Sequence, residues 1–463
     1  MLSVTLWLIL ILGVTMFRFD HLPVPAIATP LPGPIATGLL ARDAVFVSGS
    51  YTRVYPLVVA EGSGAVIVDV DGNRFLDFTA GIAVANTGHC HPAVVAAIQD
   101  QAAKLIHMSG TDFYYRPQIE LAERLAAIAP GPSAKKVFFC NSGAEAVEAA
   151  LKLARWHTHR SRVIAFLGAF HGRTYGAMSL SGSKVTHRRG FSPLVPDVHH
   201  IPFPRECSGT CATAGCQLVR DLEAGLFHRT VPPEEVAAIF VEPIQGEGGY
   251  HALPAGCWPA LRAMCDKYGI LLVIDEIQSG MGRTGTIFAV ETSGIEPDII
   301  CTAKGIASGL PLGAIIAKSE VMDWPPGSHA STFGGNPVAC RAALVTLDLL
   351  ESEYLANTRE RGAELLAGLH DLASRSPMLT SPRGRGLMIA VDTPSAKVRE
   401  VVIDHCFRAG LLLLGCGETA IRFCPPLCIT SEHVRIALGI LESVIAEISH
   451  AEKASANKLE ARS

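Results

Sequence analysis

The chain has 463 residues, of which 49% are hydrophobic and 18% are charged, and its formal net charge is -4. A chain of this length and apolar content can form two or three domains with large buried surfaces, including a subunit interface. A charge balance this close to neutral gives no electrostatic footprint for nucleic acid, so we expect small molecules rather than nucleic acid as ligands.

The N-terminal segment from Met1 to Phe17 is uncharged and strongly apolar. Its length suits the core of a signal peptide or a short membrane anchor, and Ala26-Ile27-Ala28 imitates a cleavage site. However, no lysine or arginine precedes the apolar run, which weakens the signal-peptide interpretation. We therefore expect residues 1–20 to be an extension upstream of a start at Met16, with a membrane anchor as the second alternative and secretion as the last.

A buried strand is predicted at Lys136–Cys140, and an alanine-rich helix follows it from Asn141 to about Trp156. The helix opens with Ser142 and Gly143, and small residues at a helix start let backbone N–H groups approach an anion. The positive end of the helix dipole favours the same ligand. The segment therefore offers a phosphate site, although Ser142 could equally be a simple N-cap.

Five later segments are predicted to be strands that alternate with helices, a pattern typical of a mainly parallel α/β sheet. They run from Val163 to Leu167, Ala237 to Val241, Ile270 to Ile274, Asp298 to Thr302 and Leu312 to Ala317. Asn336 as N-cap and Pro337 as first residue begin a long helix to about Ser352. A last helix from Ser431 carries an apolar packing stripe of Val434, Leu438, Leu441, Ile445 and Ile448.

Two of these apolar strands end at an ionisable side chain, the first at Asp275 and the second at Lys304. Ligands of open α/β sheets bind beyond the carboxyl ends of the strands, so an acid and a lysine should face one pocket. Taken alone, Asp275 could be the cap of a following helix and Lys304 a solvated amine in a loop. Together they suit pyridoxal phosphate, because a lysine can bind its aldehyde covalently and a carboxylate can keep its ring nitrogen protonated.

Seven motifs follow one another along the chain, namely Asn141–Ala146, Ala169–Thr174, Glu242–Gly249, Asp275–Gly280, Ala303–Gly305, Ser331–Pro337 and Ile421–Phe423. By these motifs and their order, the chain resembles the class III aminotransferases, a group of fold type I pyridoxal-phosphate enzymes. The resemblance implies an α/β fold, with a large domain that contains a mainly parallel sheet and a smaller α/β domain built from both chain ends. We expect an extension and linker at 1–29, the small domain at 30–89 and 346–463, and the large cofactor-binding domain at 90–345.

The resemblance also implies contacts to the cofactor, with Lys304 and Asp275 as the catalytic residues. It implies that Phe170 stacks on the cofactor ring and that Gln278 bonds its phenolic oxygen. Thr332 would reach the phosphate of the neighbouring subunit, which would make the active unit a homodimer or a higher oligomer with shared active sites. From the residues alone, Phe170 reads as core and Thr332 as an ordinary loop hydroxyl. The residues implied to bind the phosphate within the chain are Ser142, Gly143 and Ala144.

Substrate choice is expected to depend on two arginines, a glutamate and an isoleucine. Arg173 and Arg422 can each hold a carboxylate with a planar fork of donors. By the resemblance, Glu247 pairs with Arg422 while an ω-amino acid is bound, and releases it for the α-carboxylate of 2-oxoglutarate or glutamate. The alternative for these charged residues is a surface ion pair. Ile82 offers no hydrogen bond, whereas ornithine aminotransferases carry a tyrosine there, so free ornithine is disfavoured. Glu242 receives no specific role.

We therefore predict a ping-pong aminotransferase that acts on an ω-amino acid, with 4-aminobutyrate as the first candidate donor and 2-oxoglutarate as acceptor. The alternatives on the same scaffold are an amino-acid racemase and an acetylornithine or ornithine aminotransferase. A non-catalytic regulator that senses pyridoxal phosphate is disfavoured, because no DNA-binding domain fits before the family region.

The chain contains thirteen cysteines, many of them in predicted strands and helices, which favours a reducing compartment and a cytoplasmic enzyme. Membrane contact would follow only if the apolar N-terminal segment is real. Cys207, Cys211 and Cys216 have a spacing that resembles metal ligands, but no CxxC pair or nearby fourth ligand completes the set. We therefore predict a loop insertion with free thiols and no metal site.

Overall fold

The computed structural model describes residues 17–19, 22–207 and 216–460, with side chains up to residue 451. The first sixteen residues, on which the expectations about a signal peptide or membrane anchor depend, lie outside the described residues. Within the part of the chain that is described, no helix is long and apolar enough to cross a bilayer.

The strands and helices alternate along most of the described chain. The strands are β1 (Val59–Ser63), β2 (Val66–Asp69), β3 (Arg74–Asp77), β4 (Lys135–Cys140), β5 (Arg162–Phe166), β6 (Val198–Ile201), β7 (Val236–Val241), β8 (Leu271–Asp275), β9 (Ile299–Thr302), β10 (Gly313–Lys318), β11 (Thr380–Arg385), β12 (Met388–Asp392), β13 (Leu411–Leu412), β14 (Leu414–Cys416) and β15 (Ala420–Phe423). The helices are α1 (Pro34–Phe46), α2 (Pro92–Lys104), α3 (Arg116–Ile128), α4 (Gly143–Thr158), α5 (Tyr175–Leu180), α6 (Gln217–Arg220), α7 (Cys257–Tyr268), α8 (Pro337–Leu349), α9 (Leu355–Arg375), α10 (Ala396–Arg408) and α11 (Ser431–Glu460). Shorter helical segments lie at Ala80–Ala83, Val185–His187, Asp221–Phe227, Pro233–Glu235, Ala289–Ser293, Lys304–Ala307 and Leu350–Tyr354.

The largest sheet of the described chain has seven strands in the order β4-β10-β9-β8-β7-β5-β6. Neighbouring strands from β9 to β6 run parallel, whereas β10 is antiparallel to both of its neighbours. Every residue of β7 and of β8 is buried. Helices therefore cover both faces of the sheet, as continuous apolar strands require, and the predicted mainly parallel sheet is confirmed.

Residues from both chain ends meet in the smaller part of the molecule. Strand β13, from the C-terminal third, pairs in parallel with β3, and both belong to a four-stranded sheet of order β1-β2-β3-β13. A second four-stranded sheet has the order β11-β12-β15-β14. The fold class predicted from the sequence, a mainly parallel large sheet with a smaller α/β part from both ends, is thus confirmed.

Helix α4 lies directly on the central sheet because its inner face is formed largely by alanine. Ala146, Ala149, Ala150 and Ala154 are fully buried and pack with strand residues such as Phe240 in one apolar cluster. Small side chains allow the helix backbone to approach the strands closely. This packing fixes the N-terminus of α4 at the edge of the sheet where the parallel strands end.

The long helix predicted from Pro337 begins as expected, since the Asn336 side chain accepts hydrogen bonds from the backbone N–H groups of Val338 and Ala339. It ends at Leu349 rather than at Ser352, and the π segment Leu350–Tyr354 leads into α9. A π segment is a local change of hydrogen-bond register that hydrophobic periodicity does not reveal.

The cysteine-rich loop differs from its prediction. Cys207 is disulfide-bonded, so the prediction of free thiols is wrong at this position, whereas Cys216 is a free and buried thiol. Cys211 lies outside the described residues. Sequence spacing gives the number of cysteines in the loop, but it does not reveal which sulfurs the folded loop brings within bonding reach.

Candidate active site

The carboxyl ends of two adjacent parallel strands place Asp275 and Lys304 at the same edge of the central sheet. Asp275 is the last residue of β8 and pairs in register with Cys301 of β9, and Lys304 follows β9 by two residues. Both side chains line one cavity of about 440 Å³. The structure therefore brings the acid and the lysine together, as the strand pattern predicts.

Lys304 occupies a special backbone and electrostatic position. Its backbone φ is 47°, in the left-handed region that non-glycine residues seldom adopt. Burial lowers the pKa of its ammonium group below the ordinary value, against the opposing charge of Asp275 and with the help of Arg422. An amine with a depressed pKa is more easily held uncharged, which is the form that attacks a carbonyl carbon.

Asp275 is held by hydrogen bonds to both of its carboxylate oxygens. Oδ1 accepts the backbone N–H of Ile277 at 3.0 Å, and Oδ2 lies 2.7 Å from Nδ1 of His171. The Asp275 side chain is 3% exposed and that of His171 is fully buried. Burial by itself lowers the pKa of His171, but the hydrogen bond and charge of Asp275, with the charge of Glu242, raise it overall. The backbone N–H of Ile277 and the imidazole of His171 thus hold the carboxylate in one orientation.

Glu242 is a second buried carboxylate beside this pair, directly after β7. Its oxygens accept the backbone N–H groups of Phe170, at 3.1 Å, and of Gly246, at 3.0 Å. Burial, with the nearby charge of Asp275, raises the pKa of Glu242 to about 7. Glu242 therefore joins the loop after β5 to the loop after β7 and lines the same cavity.

The start of α4 forms one wall of the cavity. Ser142, Gly143 and Ala144 all line it, and Ser142 Oγ accepts the backbone N–H of Glu145 at 3.2 Å. The serine is therefore an N-cap, while the first backbone N–H groups of any helix lack acceptors within the helix. A Cβ atom at position 143 would come within 2.9 Å of the Ile277 side chain, so this close approach favours glycine. These features suit a phosphate group.

Phe170 and Gln278 also line this cavity. Gln278 is only 7% exposed, and its buried amide oxygen has no hydrogen-bond partner among the described residues. A buried amide without a partner costs free energy unless a ligand or water bonds it. The oxygen and nitrogen atoms of a glutamine amide can be exchanged by rotating the amide group. After this exchange the amide N–H of Gln278 can donate to a phenolic oxygen, so the residues present fit pyridoxal phosphate.

A buried ion pair lies close to Lys304. Arg422, in β15, places its Nη1 2.6 Å from Oε1 of Glu247, and the side chains are 5% and 15% exposed. Lys184 contacts the other carboxylate oxygen of Glu247 at 3.2 Å. Although burial opposes ionisation, Arg422 and Lys184 lower the pKa of Glu247 to about 2. The carboxylate therefore remains charged at neutral pH with two cationic partners.

The remaining predicted residues are more exposed. Arg173 lines the cavity, and its guanidinium carbon lies 5.8 Å from the centre of the Phe170 ring. Ile82 is 40% exposed with a φ of 68°, and Thr332 is exposed in the loop before α8. The residues that line the Lys304 cavity in this chain include neither Ile82 nor Thr332, whereas Val84 does line it.

Sequence reasoning missed two residues of the site. His171 is adjacent to Phe170 within the Ala169–Thr174 motif, so its position beside a strand end was a usable signal. Lys184 carries no comparable signal, because it lies in an irregular segment after α5 and is 63 residues from Glu247. Its role as a second partner of Glu247 emerges only from the folded chain.

The sequence from residue 47 to residue 445 matches the family model described as "Aminotransferase class-III". The chain belongs to the class III aminotransferases. A 5-aminovalerate aminotransferase from Pseudomonas putida is 38% identical over 422 residues, which cover 89% of this aminotransferase and 98% of that relative. An alanine/serine racemase from Pyrococcus horikoshii is also 38% identical, over 91% of this chain and 92% of its own.

Solved structures agree with this assignment. The crystal structure of an amine transaminase from an uncultivated Pseudomonas species, in its PLP-bound form, superposes with a TM-score of 0.78. Its sequence is 32% identical and the match covers 87% of this chain and 98% of the other. The protein is thus a class III aminotransferase of the fold type I group, and its cofactor is pyridoxal phosphate.

Proposed function

We propose that this class III aminotransferase transfers the amino group of an ω-amino acid, with 4-aminobutyrate as its principal donor, to 2-oxoglutarate and releases glutamate in a ping-pong cycle. The observation that carries this proposal is the buried ion pair between Arg422 and Glu247, 2.6 Å apart. Both charges act on the ammonium group of Lys304, so the pair lies near the reacting centre.

The ion pair suits a site that must accept two different substrates in turn. The carbon that carries the amine of an ω-amino acid has no carboxylate, so the charge of Arg422 must be balanced by the protein, here by Glu247. 2-Oxoglutarate and glutamate bring an α-carboxylate that can take the place of Glu247 on the guanidinium fork. Lys184 gives Glu247 a second partner, so the carboxylate stays paired when Arg422 binds substrate.

Pyridoxal phosphate, when bound, supplies an aldehyde for amines and a ring that accepts an electron pair. We propose that Lys304 Nζ binds this aldehyde and afterwards carries the proton that leaves the substrate carbon. Asp275 would hold a proton on the ring nitrogen, and His171 keeps its carboxylate in place at 2.7 Å. Phe170 would lie against the ring and Gln278 would bond the phenolic oxygen. The residues proposed to hold the phosphate are Ser142, Gly143 and Ala144.

The length of the donor is the next property of the proposed substrate. The Pseudomonas putida relative is named for 5-aminovalerate, an ω-amino acid one methylene longer than 4-aminobutyrate. We propose that Ile82, which does not line the cavity of its own chain, disfavours ornithine because it offers no hydrogen bond, and that Arg173, which does line it, is a second carboxylate partner. These features support an ω-amino acid with a single distal carboxylate, and they leave acetylornithine as a competitor in the assay.

A second candidate function is amino-acid racemisation, which the similarity to the Pyrococcus horikoshii racemase favours. In that reaction the proton returns to the substrate carbon from either face, and no oxo acid is needed. The buried guanidinium of Arg422 could also hold the carboxylate of alanine or serine. The need for an oxo acid therefore distinguishes transamination from racemisation.

We also propose that the active unit is a homodimer in which Thr332 binds the phosphate of the partner site. Large apolar side chains are exposed next to the Thr332 loop, with Ile106 65%, Tyr114 95% and Phe333 62% exposed. Asn336 Nδ2 donates to the carbonyl oxygen of Ile106 at 2.8 Å, so these segments adjoin. Such a patch is typical of a subunit interface.

We further propose that the enzyme works in the cytoplasm. Most described cysteines are free thiols, which supports a reducing compartment.

The test is a panel of amino donors with 2-oxoglutarate, scored by glutamate released. We expect the highest kcat/KM with 4-aminobutyrate, followed by 5-aminovalerate, and low values with acetylornithine and ornithine. Loss of optical rotation of alanine or serine without 2-oxoglutarate, together with no glutamate from any ω-amino acid, would replace the proposal with racemisation. Native mass spectrometry of the loaded enzyme should give twice the mass of one chain.

A further inference from the structure

Three cysteines meet in a part of the molecule that the proposed reaction does not use. The Sγ atoms of Cys207, Cys216 and Cys257 all lie within 4.8 Å of one another. Cys216 directly precedes α6, and Cys257 is the first residue of α7. Their side chains are 0% and 1% exposed, and their sulfurs are 3.5 Å apart. We call these three residues the cysteine cluster.

Simple core packing explains each thiol separately but does not explain their convergence. Buried cysteines behave as small apolar residues, so apolar packing by itself does not require three sulfurs in one place. Thiolate sulfurs about 2.3 Å from a tetrahedral zinc ion are about 3.8 Å apart. The sulfurs of the cluster therefore need to move by less than about 1 Å to enclose one ion.

We propose that, in the reduced protein, Cys207, Cys216 and Cys257 bind one zinc ion through three thiolates. Soft thiolate ligands select zinc among the common divalent ions. Cys257 lies at the N-terminus of the twelve-residue helix α7, where the helix dipole favours an anionic sulfur. Zinc bound there joins the loop after β6 to α7, and α7 packs against β8, which ends at Asp275. The fourth position of the tetrahedron is available to a further ligand.

The site depends on the redox state of Cys207, which is disulfide-bonded in the structure. A dithiol reductant would break this S–S bond with two electrons and two protons, and would itself become a disulfide. Zinc binding then displaces the protons of the three thiols of the cluster. The disulfide form of the dithiol reagent would re-form the S–S bond at Cys207 by accepting two electrons, and zinc would then lose one of its three ligands.

The test measures zinc bound per chain in the full-length enzyme loaded with pyridoxal phosphate. The protein is reduced with dithiothreitol, desalted without oxygen, and titrated with zinc against a chelating dye. Cys257→Ala removes one ligand, and Cys265→Ala is its matched control, because Cys265 is equally buried on α7 but outside the cluster. We expect one zinc ion per chain for the wild type and the control. Cys257→Ala should weaken binding on the order of 100-fold or more.

A second variant and a second readout keep the test decisive. Cys216→Ser replaces the sulfur by oxygen at nearly the same volume and should also lose zinc, while circular dichroism verifies folding. Cobalt(II) in place of zinc should give a thiolate-to-cobalt absorption band in the wild type and in Cys265→Ala only. No bound metal in the reduced wild type, or equal binding by Cys257→Ala, would overturn the proposal. The aminotransferase proposal would survive either result, since no residue of the cluster lines the Lys304 cavity.

Discussion

The two ends of the active site are built differently. At one end, Asp275, His171 and Glu242 are buried and bonded to one another or to backbone N–H groups from separate loops. At the other end, Glu247 is shared between Arg422 and Lys184, and the lysine side chain is 42% exposed. The first arrangement suits the cofactor, which is proposed to stay in the same place throughout the reaction. The second gives Glu247 two cationic partners, which suits the proposed exchange of partners as substrates alternate.

This difference separates the effects of mutations. Changes at the fixed end should slow the reaction with every substrate, since they disturb the cofactor. Changes at the exchangeable end should affect one half-reaction more than the other. Mutations at the two ends should therefore have distinguishable effects, the largest of them at Lys304.

Lys304→Ala should reduce turnover by at least about 10⁴-fold, because no other group replaces the amine that binds the cofactor and carries the proton. The measurement is glutamate release from 4-aminobutyrate and 2-oxoglutarate. Circular dichroism and native mass spectrometry should find a folded protein of unchanged oligomeric state. Lys104→Ala, at an exposed ion pair, is the control and should retain full activity. Normal transamination by Lys304→Ala would rule out the proposed role.

His171→Ala should lower kcat by about 10²-fold for both half-reactions, with a smaller effect on KM, because the Asp275 carboxylate loses its orientation. His171→Asn is the matched variant, since its amide N–H can still donate near the position of Nδ1. We expect it to recover most of the lost kcat. If both variants lose activity equally while their melting temperatures stay unchanged, the hydrogen bond to Asp275 is not the property that matters.

Glu247→Gln should separate the two half-reactions. Without the carboxylate, the charge of Arg422 is unbalanced while an ω-amino acid is bound, so that half-reaction should slow by about tenfold, equivalent to about 1.4 kcal/mol. The glutamate half-reaction should change much less, because the substrate supplies its own carboxylate. Single-turnover kinetics measure both rates. The control is Glu235→Gln, at a surface ion pair. Equal loss in both half-reactions would contradict the exchange of partners.

The same ion pair predicts a small effect of pH on stability. The folded-state pKa of Glu247 is lowered from 4.5 to about 2, so its contribution is present above pH 4.5 and is lost as the pH falls towards 2. The wild type should therefore lose about 1 to 2 kcal/mol of stability relative to Glu247→Gln between pH 4.5 and about pH 3. Urea unfolding of both proteins measures this difference. A constant difference across that range would exclude a native ion pair.

The fixed end of the site was largely predictable from sequence, and the reason is local. Each of Asp275 and Lys304 follows an uninterrupted apolar strand, and parallel neighbours end at the same edge of a sheet. Likewise, the N-cap and glycine at the start of α4 are adjacent in sequence to the strand that delivers them. Residues that owe their position to one strand–loop junction can be found without knowledge of the rest of the fold.

The missed contacts join residues that are distant along the chain. His171 and Asp275 are 104 residues apart, and Lys184 and Glu247 are 63 apart. Cys257 joins the cysteine cluster from 41 residues beyond Cys216. Such pairs depend on how loops from different strands pack, which periodicity and spacing do not encode. The roles of Ile82 and Thr332 and the domain bounds stay predictions. Thr332 in particular is proposed to act on the site of a second chain.

The covalent attachment of the cofactor to Lys304 is the central claim, and one measurement tests it most directly. The purified enzyme is saturated with pyridoxal phosphate, its absorbance is recorded, and it is then reduced with borohydride, digested and mapped by mass spectrometry. We predict an absorption band at roughly 410 to 430 nm before reduction and a single modified peptide that contains Lys304. A colourless protein, or a modification at any other lysine with Lys304 unmodified, would contradict the account.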